Sequence, residues 1–249
     1  MNGVMLQACL NGARDISHHP RLSTDPAALA QEAAAAVAAG AQTLHVHPKN
    51  SQGQDTLEPQ YVAAWLSALR KACPGTPLGV TTGAWSSPDA PARLEMIRSW
   101  YELPDFASVN WHEEGAEEVA ALLHHRGVAV EAGIWQADAA RKWASSPLKT
   151  QCLRVLIEVQ DVPAETVESE AVRLLELVKG PNHSGSRQAF QAPVLLHGEE
   201  GSAWAAVQLA ARWGLGTRIG LEDTLLLPDG RRAGGNADLI VAAKFFLAM

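Results

Sequence analysis

Cysteine is scarce in this chain. Three are present, Cys9, Cys73 and Cys152, far apart and without a CxxC pair. That argues against a cysteine-based zinc site, and sparse unpaired thiols suit a reducing cytoplasm, the expected compartment. Net basic charge is missing too: 20 Lys and Arg face 27 Asp and Glu, for a formal net charge of -7. Nucleic acid and anionic membranes need a basic face, so neither is an expected partner. No apolar run approaches the roughly 20 residues of a membrane span. The opening MNGVMLQACLNGARD lacks a basic stretch followed by a long apolar region, and reads as a first strand rather than a signal peptide. No GxGxxG follows that strand, which removes the main functional support for an open dinucleotide-binding sheet. Low-complexity segments, strong short repeats and domain linkers are absent as well.

What is present is alternation. Short apolar runs at 4–10, 42–47, 77–82, 105–111, 128–133, 152–159, 192–198 and 217–223 read as strands. Helical stretches at 25–40, 61–72, 91–101, 115–127, 136–144, 164–180, 202–214 and 236–246 follow them in turn. The first helix shows its signals plainly: a capping Thr24 or Asp25, Pro26 in the first turn and a stop at Gly40. Eight strand–helix units in about 250 residues imply a parallel sheet covered by helices, and the expected fold is a single (β/α)8 TIM barrel over 1–249. The polar segment 180–191 is the best candidate for a mobile loop.

In such a barrel the active site lies at the C-terminal ends of the strands. Those ends carry Asn11, Gly12 and Arg14; His45 and His47; Thr81, Thr82 and Gly83; Ser108 and Asn110; Glu131; Glu158; His197; and Arg218, Glu222 and Asp223. The strand bodies are apolar, so this rim of polarity points to a binding or catalytic mouth.

The HVH stretch is the sharpest signal. Residues i and i+2 of a strand share a face, so His45 and His47 point the same way. Two adjacent imidazoles make a poor core and a good pair of metal ligands. A catalytic metal usually takes a third protein ligand, often a carboxylate, with Glu222 and Glu131 as candidates. The eighth strand is separated from the second only by the first, so Glu222 can reach across. Zinc suits such a set best, with iron or manganese as alternatives. His18, His19, His112, His124, His125 and His183 read as loop histidines. Trp85, Trp111 and Trp135 lie just beyond strand ends and serve either as pocket walls or as core packing.

ACLNGAR (8–14), AGAQTLHVHPKNSQG (39–53), VTTGAW (80–85), FASVN (106–110), VEAGIW (130–135) and TRIGLEDTLLLPDGRRAGGNADLI (217–240) stand in the order found in the beta-keto acid cleavage enzymes, and the chain resembles that family essentially end to end. The family's namesake cleaves 3-keto-5-aminohexanoate. The resemblance implies a (β/α)8 barrel with one divalent metal, normally zinc, that joins a beta-keto acid to acetyl-CoA and releases acetoacetate and a new acyl-CoA. Carried over, His45, His47 and Glu222 would hold the metal, Asp223 would be the base, and Arg218 and Thr81 would orient it. Asn11, Arg14, Thr82, Gly83, Ser108, Asn110 and Glu131 would contact substrate. Thr81 stands where serine is usual, and Ser108 where threonine is common.

Two departures bear on specificity. Arg14 replaces an acidic residue, and Gly133 replaces the second glutamate of an E-x-E pair. Both disfavour an aminated substrate, so a neutral or anionic tail is expected. Gly198, Gly201, Arg231 and Arg232 are the possible phosphate contacts for CoA. A homo-oligomer is also expected. The rival functions are an amidohydrolase-like metal-dependent hydrolase, which would carry HxH on its first strand and histidines on the fifth and sixth, and a non-catalytic keto-acid-binding barrel.

Overall fold

The computed structural model describes residues 4–179 and 192–248. The expected mobile loop at 180–191 and His183 lie outside the described residues. Eight strands alternate with eight helices, as the apolar pattern predicts: β1 (Leu6–Cys9), α1 (Pro26–Ala39), β2 (Thr43–Val46), α2 (Pro59–Ala72), β3 (Leu78–Thr81), α3 (Ala90–Arg98), β4 (Phe106–Asn110), α4 (Ala116–His125), β5 (Ala129–Ile134), α5 (Ala137–Ser145), β6 (Arg154–Val159), α6 (Val167–Lys179), β7 (Val194–Gly198), α7 (Ala203–Trp213), β8 (Thr217–Ile219) and α8 (Asn236–Leu247). All neighbours pair parallel in the order β7-β6-β5-β4-β3-β2-β1-β8. The sheet closes where the Gly216 N–H donates to Val194 (3.1 Å) and the Leu196 N–H donates to Gly216 (2.9 Å). The molecule is a (β/α)8 barrel.

Local chemistry explains the elements. Asp25 caps α1 by accepting from the Ala27 N–H, Pro26 occupies the first turn, and Gly40 ends the helix at φ 120. The buried stripe Leu29, Ala30, Ala33 and Ala36 lets α1 pack closely between α2 and α8. Outward-facing strand residues such as Leu44, Val46, Val80 and Val130 are fully buried under these helices. No helix among the described residues is long and apolar enough to cross a membrane.

The barrel interior is polar, and two of its layers differ in purpose. On the floor, Glu131 is bound by Arg154, whose guanidinium also lies 4.5 Å from the Phe106 ring centroid. Gly79 makes room for that ring: a Cβ there would sit 2.0 Å from it. Glu131 is therefore the third residue of β5, inside the barrel, and not at the strand's end as expected. Above it lies the mouth. β8 stops at Ile219, so Glu222 and Asp223 sit in the turn beyond the strand rather than in it. His124 and His125 close α4 instead of lying in a loop.

Candidate active site

The mouth encloses a cavity of about 490 Å3, with His45, His47, Thr81, Ser108, Asn110, Glu158, Arg218 and Glu222 in its wall and Arg14, Trp85, Trp135, Leu156, Glu199 and Glu200 around it. Register explains the convergence, since Cys9 pairs with His45, Gln7 with Arg218 and Thr81 with Ser108.

His45, His47 and Glu222 come together as the sequence predicts, each offering one ligand atom within 4.8 Å of the others. His47 Nε2 lies 3.6 Å from Glu222 Oε1, and His45 Nε2 lies 3.9 Å from Glu222 Oε2. Tetrahedral ligands about 2.0–2.2 Å from one zinc ion stand roughly 3.4 Å apart, so small adjustments accommodate an ion. The donor chemistry fits as well. Glu222 Oε2 is buried without a hydrogen-bond partner. Burial pushes the His45 imidazole down to about 4, leaving it neutral and able to ligate. Burial also works against charge on His47, yet the carboxylates of Glu222 and Asp55 outweigh it and hold His47 up at about 9. A carboxylate can only accept, so the 2.8 Å contact from His47 Nδ1 to Asp55 Oδ2 places a proton on Nδ1 and leaves Nε2 for a metal.

A second cluster lies beside this triad. Arg218 donates to Glu222 Oε1 (2.9 Å) and stands 3.7 Å from both Glu158 and Asp223. His197 bridges Glu158 (Nε2, 3.1 Å) and Asp223 (Nδ1, 3.2 Å). Arg218 Nε also lies 3.2 Å from His197 Nδ1. One nitrogen cannot both accept from Arg218 and donate to Asp223. The flanking carboxylates raise the His197 pKa against burial and the Arg218 charge, so we assign the donor role. Asp223 is raised from its ordinary value by burial, which outweighs Arg218 and His197. Glu222, on the cavity wall, is driven well below its own ordinary value by Arg218 and the two histidines, against the burial it does have.

Several expected substrate contacts turn out to be committed elsewhere. Asn11 clasps the His47 backbone from both sides, donating to its carbonyl and accepting from its N–H (2.9 Å each). The Thr82 hydroxyl donates to the Ser108 carbonyl (2.7 Å). Gly83 packs under Trp85, and its N–H donates to Thr81 Oγ1. Glu131 is held on the floor by Arg154. Arg14 lines the cavity but already pairs with Glu200 and donates to the Glu222 carbonyl. Trp111 belongs to the core, whereas Trp85 and Trp135 are walls. Of the possible phosphate contacts, Gly198 is packed on Ser202, and Arg231 pairs with Asp229 on the surface.

Residue patterns did not reveal Asp55, Lys49 or Glu200 as parts of this site. Asp55 lies in the loop after β2, with no periodicity to mark it. Glu200 adopts φ 47, a left-handed conformation unusual for a non-glycine residue, and its N–H donates to the Asp223 carbonyl (2.7 Å).

These features define a (β/α)8 barrel whose C-terminal rim gathers a His–His–Glu set suited to one divalent cation. The chain belongs to the beta-keto acid cleavage enzyme family, whose model matches residues 3–248. No curated protein matches it. Among solved structures it is similar to ObcA in binary complex with oxaloacetate, at 18% identity and TM-score 0.64, covering 91% of this chain and 63% of that one. It is also similar to the ternary complex of ObcA with a C4-CoA adduct and oxalate, at 18% identity and TM-score 0.68, covering 92% and 64%. The type I 3-dehydroquinate dehydratase of Clostridium difficile shares 13% identity at TM-score 0.60, over 88% of this chain and 85% of that one. At these identities the likeness is one of fold. The chain spans just under two thirds of the ObcA chain's length.

Proposed function

We propose that this protein joins a beta-keto acid to acetyl-CoA and cleaves the adduct, giving acetoacetate and a new acyl-CoA. Family membership over residues 3–248 carries the reading, and the juxtaposition of His45, His47 and Glu222 supports it. The ObcA structures contain a keto acid in one case and a CoA adduct in the other, which fits the same substrate classes. His45, His47 and Glu222 would hold the metal, with zinc favoured by the donor set. Bound there, it would supply Lewis acidity to a keto oxygen and a substrate carboxylate.

The chain's own groups account for the proton chemistry. Asp223, raised by burial, is the base that receives the proton of the carbon destined to become the nucleophile, relayed from Glu158 at the cavity wall through His197. Asp223 is not among the described residues lining the cavity, but Glu158 is, and His197 connects the two. Arg218 holds the carboxylates in place. Thr81 and Ser108 offer hydroxyls on the cavity wall to the oxyanion formed when the thioester is attacked.

Specificity follows from the mouth. Glu200 already meets the Arg14 charge, and Trp85, Trp135 and Leu156 are apolar wall, so a neutral tail is favoured over an anionic or aminated one. The three unpaired thiols suit a reducing cytoplasm, and exposed Val241 and Phe245 on α8 offer a surface for a homo-oligomer. Purified protein supplied with acetyl-CoA and a panel of neutral, dicarboxylic and aminated beta-keto acids should release acetoacetate and acyl-CoA in equal amounts. Neutral tails should be preferred. Product formation without acetyl-CoA would favour the hydrolase reading, and binding without turnover would favour the non-catalytic one.

A further inference from the structure

We propose that Asp55 is a positioning residue of the metal centre, holding His47 in its ligating orientation while pinning Trp85 across the ring. This rests on the reading that His45, His47 and Glu222 hold a divalent ion.

Asp55 is nearly buried, and both of its oxygens are engaged. Oδ2 accepts from His47 Nδ1 (2.8 Å) and from Trp85 Nε1 (2.9 Å), and Oδ1 accepts from Lys49 Nζ (2.6 Å). The first bond fixes the His47 tautomer. The second holds the indole beside the imidazole in an offset stack, with ring centroids 6.0 Å apart and planes 24° apart. His47 is thus gripped at its edge by Asp55, on its face by Trp85 and at its backbone by Asn11. His45 has no such support: its Nδ1 is buried without a hydrogen-bond partner. Two of the three grips on His47, the edge and the face, therefore run through one carboxylate.

The loop is built to deliver that carboxylate. Asn50 accepts from the Gln52 and Gln54 N–H groups, and Gly53 turns the chain at φ 81. An antiparallel bridge then sets Asp55 beside Lys49. Lys49 also donates to the Gly12 carbonyl (3.0 Å), which ties this loop to the loop that carries Arg14. A carboxylate behind a metal-bound histidine raises ligand basicity and reduces rotational freedom, and its removal typically weakens metal binding about 10–100-fold.

A merely structural Asp55–Lys49 pair would leave metal binding unchanged, and this separates the two roles. Zinc affinity of metal-free protein is measured by competition with a chromophoric chelator, alongside the visible spectrum of the cobalt-loaded form and a thermal melt. Asp55→Asn should bind zinc about 10–100-fold more weakly and shift the cobalt bands, while Asp55→Glu should recover part of the affinity. Folded Asp55→Asn with zinc affinity within about threefold of the parent and an unchanged cobalt spectrum would overturn the proposal. If Asp55→Asn does not fold, Asp55→Glu, which keeps the charge opposite Lys49, decides: affinity and spectrum equal to the parent's refute the positioning role, and a shift in either supports it. A parent protein that takes up neither zinc nor cobalt would overturn the metal reading as well, an outcome distinct from a parent that binds and a variant that matches it.

Discussion

Glu222 and Asp223 are chain neighbours with opposite electrostatic fates. Asp223 is removed from water and Glu222 is largely so, at the cavity wall, and burial favours the neutral form of each. Glu222 faces Arg218 and two imidazoles and stays ionised, as a metal ligand must. Asp223 shares Arg218 less closely and is left more basic, as a proton acceptor should be. Carboxylates whose environments push their pKa values apart commonly divide such roles. Asp223→Asn should therefore lower kcat by about 10²–10⁴-fold while zinc affinity stays near the parent value, a contrast that steady-state kinetics and chelator competition together would read. His47 gives a pH signature. Its pKa is raised to about 9, so the metal-free protein carries one proton there at neutral pH that a bound ion must displace. Apparent zinc affinity should rise roughly tenfold per pH unit up to about 9 and then level off. Calorimetry in buffers of different ionisation enthalpy should show close to one proton released per ion at pH 7. The stability from His47 pairing in the metal-free protein runs the other way: it is full below the unfolded value of 6.5 and is lost as pH rises through about 9.

At the scale of elements, the turn after β8 controls the site. Gly220 lies so close to β1 that a Cβ would fall 1.8 Å from the Cys9 carbonyl oxygen, a backbone atom that cannot swing aside. The Glu222 N–H donates to that same carbonyl (3.2 Å), and the Leu221 N–H donates to Asn236 at the start of α8 (2.9 Å). The turn is thus clamped between β1 and α8, and that clamp aims Glu222 at the histidines of β2. Gly220→Ala should destabilise the fold by about 1–3 kcal/mol or more. It should also weaken zinc binding, because separating the strands moves Glu222 away from His45 and His47. A thermal melt with a zinc titration checks both. A full-strength zinc site in a less stable protein would show that the turn matters only for packing.

At the scale of the molecule, the candidate metal site of His45, His47 and Glu222 joins segments that lie far apart in the chain, so its occupancy should stabilise the whole barrel. Zinc at a hundredfold excess over its dissociation constant contributes about 2.7 kcal/mol, a rise in Tm on the order of 5–10 °C that a chelator should reverse. The alternation of eight strands and eight helices is already written in the residue pattern, because hydrophobic periodicity and caps such as Asp25, Pro26 and Gly40 are local properties. The pairing of His45 and His47 is legible too, since the two-residue strand repeat puts them on one face, whereas the residue pattern leaves Glu222 and Glu131 both open as the third ligand and only the clamped turn after β8 brings Glu222 to them. Tertiary structure alone decided which polar rim residues face the cavity. Asn11, Thr82 and Glu131 look like site residues in the sequence, but each is consumed by a partner distant in the chain. Asp55 carries no distinguishing pattern, and Glu158 and His197 read in the sequence only as two more polar strand ends; their roles appear once folding sets Asp55 against His47 and links Glu158 through His197 to Asp223. Backbone periodicity is written locally, whereas hydrogen-bond and charge partnerships between distant segments exist only once the barrel has closed.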